Sequence, residues 1–310
     1  MKDSIKELLP REIENENLVK LLNEFSQTID QFVNFGTYIL DWDIANLKGG
    51  DEQMPVILLF RNFLELLDSV SILVKKSSID PCKVILRTAL ETSLGVEYIL
   101  KENTIDRAMS FLVCSYYKEL KVLEKHDITT EHGKQFRSVF FRDENLNGVT
   151  IPTPDNLTDK IRGLKELLQS TSYIKVKTEY ERTKKSDKKS PEWYRLFGGP
   201  GNIKELCDKL KIPVLYEVFY RNLSDSIHGN DIIHGKIAES SNGNIDIYQI
   251  RFYKDAQEVT SLALLLTVRL YDIYISERLP QRKLDFKNWF QTVYEPFSKI
   301  TNKNKILTII

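Results

Sequence analysis

Residues 213–235 carry the side chains with the clearest potential for chemistry. Pro213 can open a helix at its first position, and Gly229 can close one. At 100° per residue, Arg221 and His228 lie two turns apart and project from nearly the same line of that helix. A guanidinium can hold a phosphate by a forked contact, and an imidazole can transfer a proton near neutral pH. Such a pair could act on a phosphodiester.

The same helix has two distinct faces. Its apolar arc contains Leu215, Tyr216, Phe219, Tyr220, Leu223 and Ile227. The polar side carries Arg221 and His228 as candidate catalytic residues, with Asn222, Ser224 and Asp225 as candidate supporting residues. An alternative interpretation is a solvated polar face that happens to hold one histidine.

A second candidate pair lies on an earlier helix. Arg87 and Glu91 fall on one seam with Val84, Leu94 and Tyr98, where a helical bundle usually places leucine. A buried ion pair is costly to desolvate, so a buried Arg87–Glu91 pair would have a specific task and should face the Arg221–His228 helix. The alternative is an exposed pair on a helix with two apolar faces, which stabilises by only about 0.3–0.5 kcal/mol.

Composition limits the classes of function. The 310 residues include 44 basic and 44 acidic side chains, so no global positive field attracts nucleic acid and any contact with it must be local. Three dispersed cysteines and an N-terminus without an apolar signal core predict a reduced, cytoplasmic protein with buried thiols. The most apolar helix, 259–275, contains Arg269 and Asp272 and is predicted to be a core helix rather than a membrane span.

Hydrophobic periodicity predicts a mainly α fold, a multi-helix bundle with one short β-hairpin. Predicted helices cover about 16–43, 55–76, 81–101, 104–125, 157–169, 255–277 and 285–299, and the hairpin turns at Asn242-Gly243. We expect a single helical domain over 1–310, with a helical core at about 16–125 and 200–299. A polar insertion occupies about 126–199.

The insertion contains one strongly basic run. Residues 175–189 hold seven basic and three acidic side chains. The run could face RNA, but a mobile solvated loop is the favoured interpretation.

Three motifs together resemble a bacterial helical family catalogued only as a domain of unknown function, family 5677. They are an Arg-x-x-x-Glu helix at Arg87 and Glu91, a Trp-Tyr turn at Trp193 and Tyr194, and a Tyr…Leu-Ser…His-Gly helix. The last motif corresponds to Tyr220, Leu223, Ser224, His228 and Gly229. The resemblance spans about residues 55–275 and implies a helical fold and a shared site, without an assigned reaction.

A second resemblance covers one helix. Arg221-Asn222-x5-His228 resembles the Arg-polar-x-His motif of HEPN ribonucleases at the long end of its spacing. This resemblance implies metal-independent cleavage of single-stranded RNA in a toxin or phage-defence role. It also implies a homodimer, because such sites are usually completed by the same helix of a second subunit.

We expect no cofactor, no metal and no membrane partner. A His-x-x-Asp-x-x-His site at His228, Asp231 and His234 is conceivable, but Gly229 interrupts the helix it would need. His126 and His132 are expected to be solvated. The competing function is a non-catalytic helical module that binds a protein or nucleotide through the same groove.

Overall fold

The computed structural model describes residues 11–146, 149–227, 236–239 and 245–302. Helices dominate these residues, which confirms the predicted mainly α class. The helices are α1 Glu16–Ala45, α2 Met54–Lys75, α3 Ile79–Lys101, α4 Thr104–His126, α5 Glu131–Phe140, α6 Leu157–Gln169, α7 Ile174–Asp187, α8 Ile203–Lys209, α9 Arg221–Ile227, α10 Ala256–Arg278 and α11 Lys283–Thr301.

Two three-residue strands follow α9 in the chain. β1 Ile237–Glu239 pairs antiparallel with β2 Ile245–Ile247, with Ala238 opposite Asp246. The predicted turn residues Asn242 and Gly243 lie outside the described residues.

The chain divides into two compact units. The first comprises Met1–Gly49, Val56–Glu102 and Ile203–Ile310, and the second comprises Gly50–Pro55 and Asn103–Asn202. α4 therefore groups with the predicted insertion, about one helix earlier than the expected boundary at residue 126. That the two units form a single domain stays a prediction.

The core of the first unit is built around α10, which packs against α1, α3 and α11. Gly36 permits a close approach of α1 to α10, because a β-carbon there would lie 2.2 Å from the Tyr271 hydroxyl. That hydroxyl is fully buried and donates a 2.7 Å hydrogen bond to the carbonyl of Phe32. α11 adds an aromatic layer, in which Trp289 stacks on Phe35 at 4.0 Å.

The second unit has its own apolar core between α4, α6 and α7. Its α7 corrects one expectation, because residues 175–187 are an ordered helix and not a mobile loop. Val176, Tyr180 and Thr183 are buried along one face, and Tyr180 stacks on Tyr117 of α4 at 4.0 Å. The buried face is hard to recognise in the sequence, because its three inward residues are interspersed with seven basic side chains.

Candidate functional site

The helix that carries the candidate catalytic residues is not a regular α-helix. Leu215–Tyr220 forms a π-helical turn, and α9 begins directly after it at Arg221. The backbone N–H of Arg221 donates to the carbonyl of Tyr216, five residues earlier, as a π-turn requires. The expectation of uninterrupted α-helix from Pro213 is therefore wrong over this turn. Single π-turns inside helices occur frequently at functional sites.

The two faces of this segment follow the expected pattern over the described residues. Leu223 is buried, and the other members of the apolar arc through Tyr220 are half-buried. Arg221 and Asn222 are exposed and Ser224 is half-buried. The π-turn thus delivers Arg221 to the outer face at the first position of α9.

Arg221 has an acidic neighbour on its own helix. Its Nη1 donates a 3.0 Å hydrogen bond to Oε2 of Glu217, and the two side chains are 64% and 47% exposed. Asp225 belongs to α9, but its side chain is outside the described part of the structure. His228, Gly229, Asp231 and His234 also lie outside the described residues.

The second candidate pair contacts this helix segment through Tyr220. The Nη2 atom of Arg87 donates a 2.7 Å hydrogen bond to the Tyr220 hydroxyl, and its guanidinium lies 4.8 Å from the centre of that ring. On the same helix, Nε of Arg87 is 3.2 Å from Oε1 of Glu91. α3 packs against α9. Arg87 therefore faces the predicted helix, at the residue that precedes Arg221.

The Arg87–Glu91 pair is intermediate between the two alternatives that the sequence left open. The Arg87 side chain is 19% exposed and Glu91 is 39% exposed. The buried Nε of Arg87 has no hydrogen bond among the described residues, although the Glu91 carboxylate is near. Burial is the main cause that raises the pKa of Tyr220, and Glu91 adds to the rise while the bond from Arg87 opposes it. Tyr220 is therefore a neutral hydroxyl that donates or accepts at physiological pH.

The candidate residues thus form two groups in the described structure. Arg87, Glu91 and Tyr220 meet in one cluster. Arg221 pairs with Glu217 on the exposed side of the next turn.

The Trp-Tyr turn belongs to the second unit. Trp193 begins a short 3₁₀ segment, Trp193–Gly198, and packs edge-on against Phe111 at 5.6 Å. Tyr194 stacks edge-on against Trp193. This turn therefore anchors a local aromatic core of that unit.

A family model for a family of unknown function, DUF5677, matches residues 53–245. The match covers more than half of the 310 residues. The chain belongs to the DUF5677 family. The DUF5677 match includes Arg87, Glu91, the Trp193-Tyr194 turn and Arg221. No curated protein and no solved structure matches the chain significantly.

One buried charge network, which joins Glu97 inside the DUF5677 match to Arg269 outside it, was not predicted from the sequence. Glu97 is almost completely buried in α3, and both its carboxylate oxygens accept from Nη2 of Arg269 at 2.7 Å. Lys101 lies 3.0 Å from the same carboxylate. A glutamate in an otherwise apolar stretch and an arginine in an apolar helix were the available signals. This network joins α3 to α10 and fixes the helix that presents Arg87.

The three cysteines are buried and free, as the sequence predicted. Burial raises the pKa of Cys82 and Cys114 to about 12 and that of Cys207 to about 11. Thiolate is the nucleophilic form, so these thiols are poor nucleophiles at neutral pH. Among the described residues, no group of three acidic, histidine or cysteine side chains could hold a metal ion.

One described helix, Ala256–Arg278, is long and apolar enough to cross a membrane by length and composition alone. In the structure 61% of its most apolar stretch is buried inside the protein.

Proposed function

We propose that the protein is a metal-independent endoribonuclease that cleaves single-stranded RNA with Arg221 and His228 as its working pair. One observation supports this most directly. The Arg221 guanidinium is 64% exposed at the first position of α9, directly after a π-turn and opposite the buried Leu223. His228 follows seven residues later in the sequence, on the polar side of the same pattern. The HEPN-like spacing of this pair suggests a toxin or phage-defence role.

In the proposed reaction the RNA supplies its own nucleophile. The 2′-oxygen attacks the adjacent phosphorus while its proton passes to the imidazole of His228. The bond from phosphorus to the 5′-oxygen breaks, and that oxygen takes a proton from a second, protonated histidine as it leaves. The products are a 2′,3′-cyclic phosphate and a 5′-hydroxyl. The Arg221 guanidinium stabilises the negative charge on the non-bridging oxygens, with Asn222 and Ser224 as orienting groups.

The contact of Arg221 with Glu217 is compatible with this role, because an RNA phosphate could replace the Glu217 carboxylate. An exposed pair four residues apart stabilises a helix by only about 0.3–0.5 kcal/mol. An RNA phosphate can accept two parallel hydrogen bonds from the same guanidinium. Exchange of the Glu217 contact for a phosphate contact therefore costs little.

We further propose that the protein acts as a cytoplasmic homodimer. The reaction needs a base for the 2′-hydroxyl and an acid for the leaving oxygen. Each chain offers one histidine at this position, so two facing copies of the helix would provide both groups.

The test is cleavage of a fluorescent single-stranded RNA in EDTA by purified protein, with overexpression toxicity scored in parallel. Wild type should leave 2′,3′-cyclic phosphate ends. His228→Ala should lose about 10²–10⁴-fold in rate, the usual contribution of general acid–base catalysis. Arg221→Ala should fall comparably, and both variants should keep the wild-type melting temperature.

Matched controls separate charge loss from loss of the site. Arg61 forms a similarly exposed pair with Glu65 on α2, so Arg61→Ala removes a similar guanidinium elsewhere. His132→Ala does the same for an imidazole in α5. Both controls should keep full activity. Inert wild type in both assays, or full activity in His228→Ala, would overturn the proposed reaction.

The second candidate function is a non-catalytic binding module. It is favoured by the Arg87–Tyr220 contact, because this arginine already binds Tyr220 inside the protein and its side chain is only 19% exposed to a ligand. In that case RNA cleavage would be absent. The Arg221→Ala and His228→Ala variants would still bind the protein or nucleotide partner.

A further inference from the structure

The second unit carries a compact group of four exposed lysines at the end of α7. Lys184 and Lys185 lie in its last turn, and Lys188 and Lys189 follow directly. Lys188 adopts a left-handed conformation with φ of 53°, which turns the chain at the helix end. The four lysines, with Glu181, line a shallow groove of about 430 Å³. We call these four residues the lysine cluster.

The remaining basic side chains around α7 are neutralised locally. Lys175 contacts Asp106 at 2.6 Å, Arg182 contacts Glu179 at 2.7 Å, and Arg195 contacts Asp187 at 3.2 Å. In contrast, no ion pair involves any member of the lysine cluster within the described part of the chain. Both nearby acids are engaged, because Asp187 pairs with Arg195 and Glu181 accepts a hydrogen bond from Tyr117.

A lysine or two at a helix C-terminus is explained by the helix dipole. Four are not, because four like charges that line one groove repel each other. A chain with zero net charge has concentrated uncompensated positive charge here. A polyanion would relieve this repulsion.

An exposed aromatic ring lies beside the same helix. Phe197 is 43% exposed and adopts φ of 56°, a left-handed conformation that is an outlier for a bulky side chain. It is held there because its backbone N–H donates a 2.8 Å hydrogen bond to Glu179 of α7. The centre of the ring lies 5.5 Å from Nζ of Lys175 in the first turn of α7, and at a rise of 1.5 Å per residue Glu179 is roughly 9 Å along the helix axis from Lys185. Strained backbone that persists is typical of ligand-binding positions.

We propose that the lysine cluster and Phe197 form a docking surface for single-stranded RNA. The lysines would contact successive phosphates, and the Phe197 ring would stack on a base. Basic side chains and an exposed aromatic ring along the same helix are the combination that binds single strands without sequence preference. The surface would bind the RNA substrate class of the proposed function at a place that the cleavage chemistry does not use.

The test measures binding of a fluorescent 2′-O-methyl oligouridine by anisotropy between 50 and 200 mM salt. This RNA lacks the 2′-hydroxyl nucleophile, so binding is read without cleavage. Each phosphate neutralised on a single strand contributes about 0.7 to the slope of log affinity against log salt. Replacement of all four lysines of the cluster by glutamine should therefore reduce the magnitude of this negative slope by about 3.

The matched control replaces Lys121, Lys125, Lys134 and Lys160 by glutamine. These are exposed lysines of the same unit, and the net charge changes equally. The control should keep the wild-type slope. Phe197→Leu should weaken binding about tenfold with the slope unchanged, since one stacked base typically contributes 1–3 kcal/mol by alanine substitution and 1.4 kcal/mol corresponds to tenfold.

Equal losses in the cluster variant and its control would overturn the proposal, as would absence of RNA binding by wild type. Binding of phosphatidylserine vesicles instead of RNA would also overturn it and would identify a membrane surface. If wild type binds this RNA through the cluster but cleaves no RNA, the docking surface stands and the proposed nuclease fails.

Discussion

Glu179 is the acidic side chain that organises the surroundings of Phe197. It accepts hydrogen bonds from Arg182, Thr183 and the backbone of Phe197. The hydrogen bond from Arg182 is the largest cause that lowers the pKa of Glu179, and the Phe197 N–H and Thr183 hydroxyl contribute. The carboxylate form is therefore favoured in the folded protein.

This lowered pKa predicts a pH-dependent contribution to stability. The contribution is complete above the unfolded value near 4.5 and is lost as pH falls through the lower folded-state pKa. Glu179→Gln should reduce the free energy of unfolding at pH 7 by about 1–2 kcal/mol. Urea denaturation should show the variant and wild type converging as pH falls below about 4.5. Glu166→Gln, at an exposed site on α6, should follow the wild-type curve, and a constant gap at all pH values would contradict the prediction.

The partial exposure of the Arg87–Glu91 pair determines how much free energy of unfolding is lost when one partner is removed. A fully buried pair would lose about 3–5 kcal/mol on removal of one partner. Glu91 is 39% exposed and Arg87 keeps its bond to Tyr220, so Glu91→Ala should destabilise by about 1–2 kcal/mol. Glu65→Ala, in a pair that is 60% exposed on both sides, should change the free energy of unfolding by less than about 0.5 kcal/mol. Equal effects in chemical denaturation would place the Glu91 pair in solvent.

At the scale of elements, two glycines in helices should respond oppositely to alanine. Gly36 of α1 lies where a β-carbon would meet the Tyr271 hydroxyl at 2.2 Å and Leu64 at 2.3 Å. Gly36→Ala should therefore destabilise by about 1–3 kcal/mol through overpacking. A β-carbon added to Gly163 of α6 would have no atom within 4 Å. Gly163→Ala should stabilise by about 0.4–1 kcal/mol, because it lowers the entropy of the unfolded chain.

Chemical denaturation of both glycine variants provides the measurement, and circular dichroism controls for retained helix content. A stable Gly36→Ala variant would show that α1 and α10 can separate without cost. That result would contradict the close packing at Tyr271.

At the scale of the whole molecule, the proposed composite site requires two copies. Light scattering should give about twice the chain mass of 36.1 kDa. Cleavage rate per chain should fall as protein is diluted below the dimer dissociation constant, because each site would need a second histidine. A monomer with a concentration-independent rate would contradict the homodimer and leave the single-chain chemistry to be explained without it.

Helix positions and the mainly α class follow from the sequence by itself, because hydrophobic periodicity is a local property. The predicted helix at 157–169 coincides with α6, and α10 at Ala256–Arg278 is within one residue of its prediction at each end. The burial of the three thiols also follows from the apolar pattern around them. For Arg221, the exposed face was visible from the same pattern.

Only the tertiary structure decided which partners these residues meet. Tyr220 was placed on the apolar arc, yet its hydroxyl binds Arg87, 133 residues earlier in the chain. No periodicity reports a contact at that separation, because it depends on how α3 and α9 pack. The π-turn before Arg221 was also not predicted, since a change from four-residue to five-residue backbone hydrogen bonds has no signature in the residue types. The basic run at 175–187 became an ordered helix for the same kind of reason: Tyr180 stacks on Tyr117 of α4, and packing on another helix outweighs the charge of its neighbours.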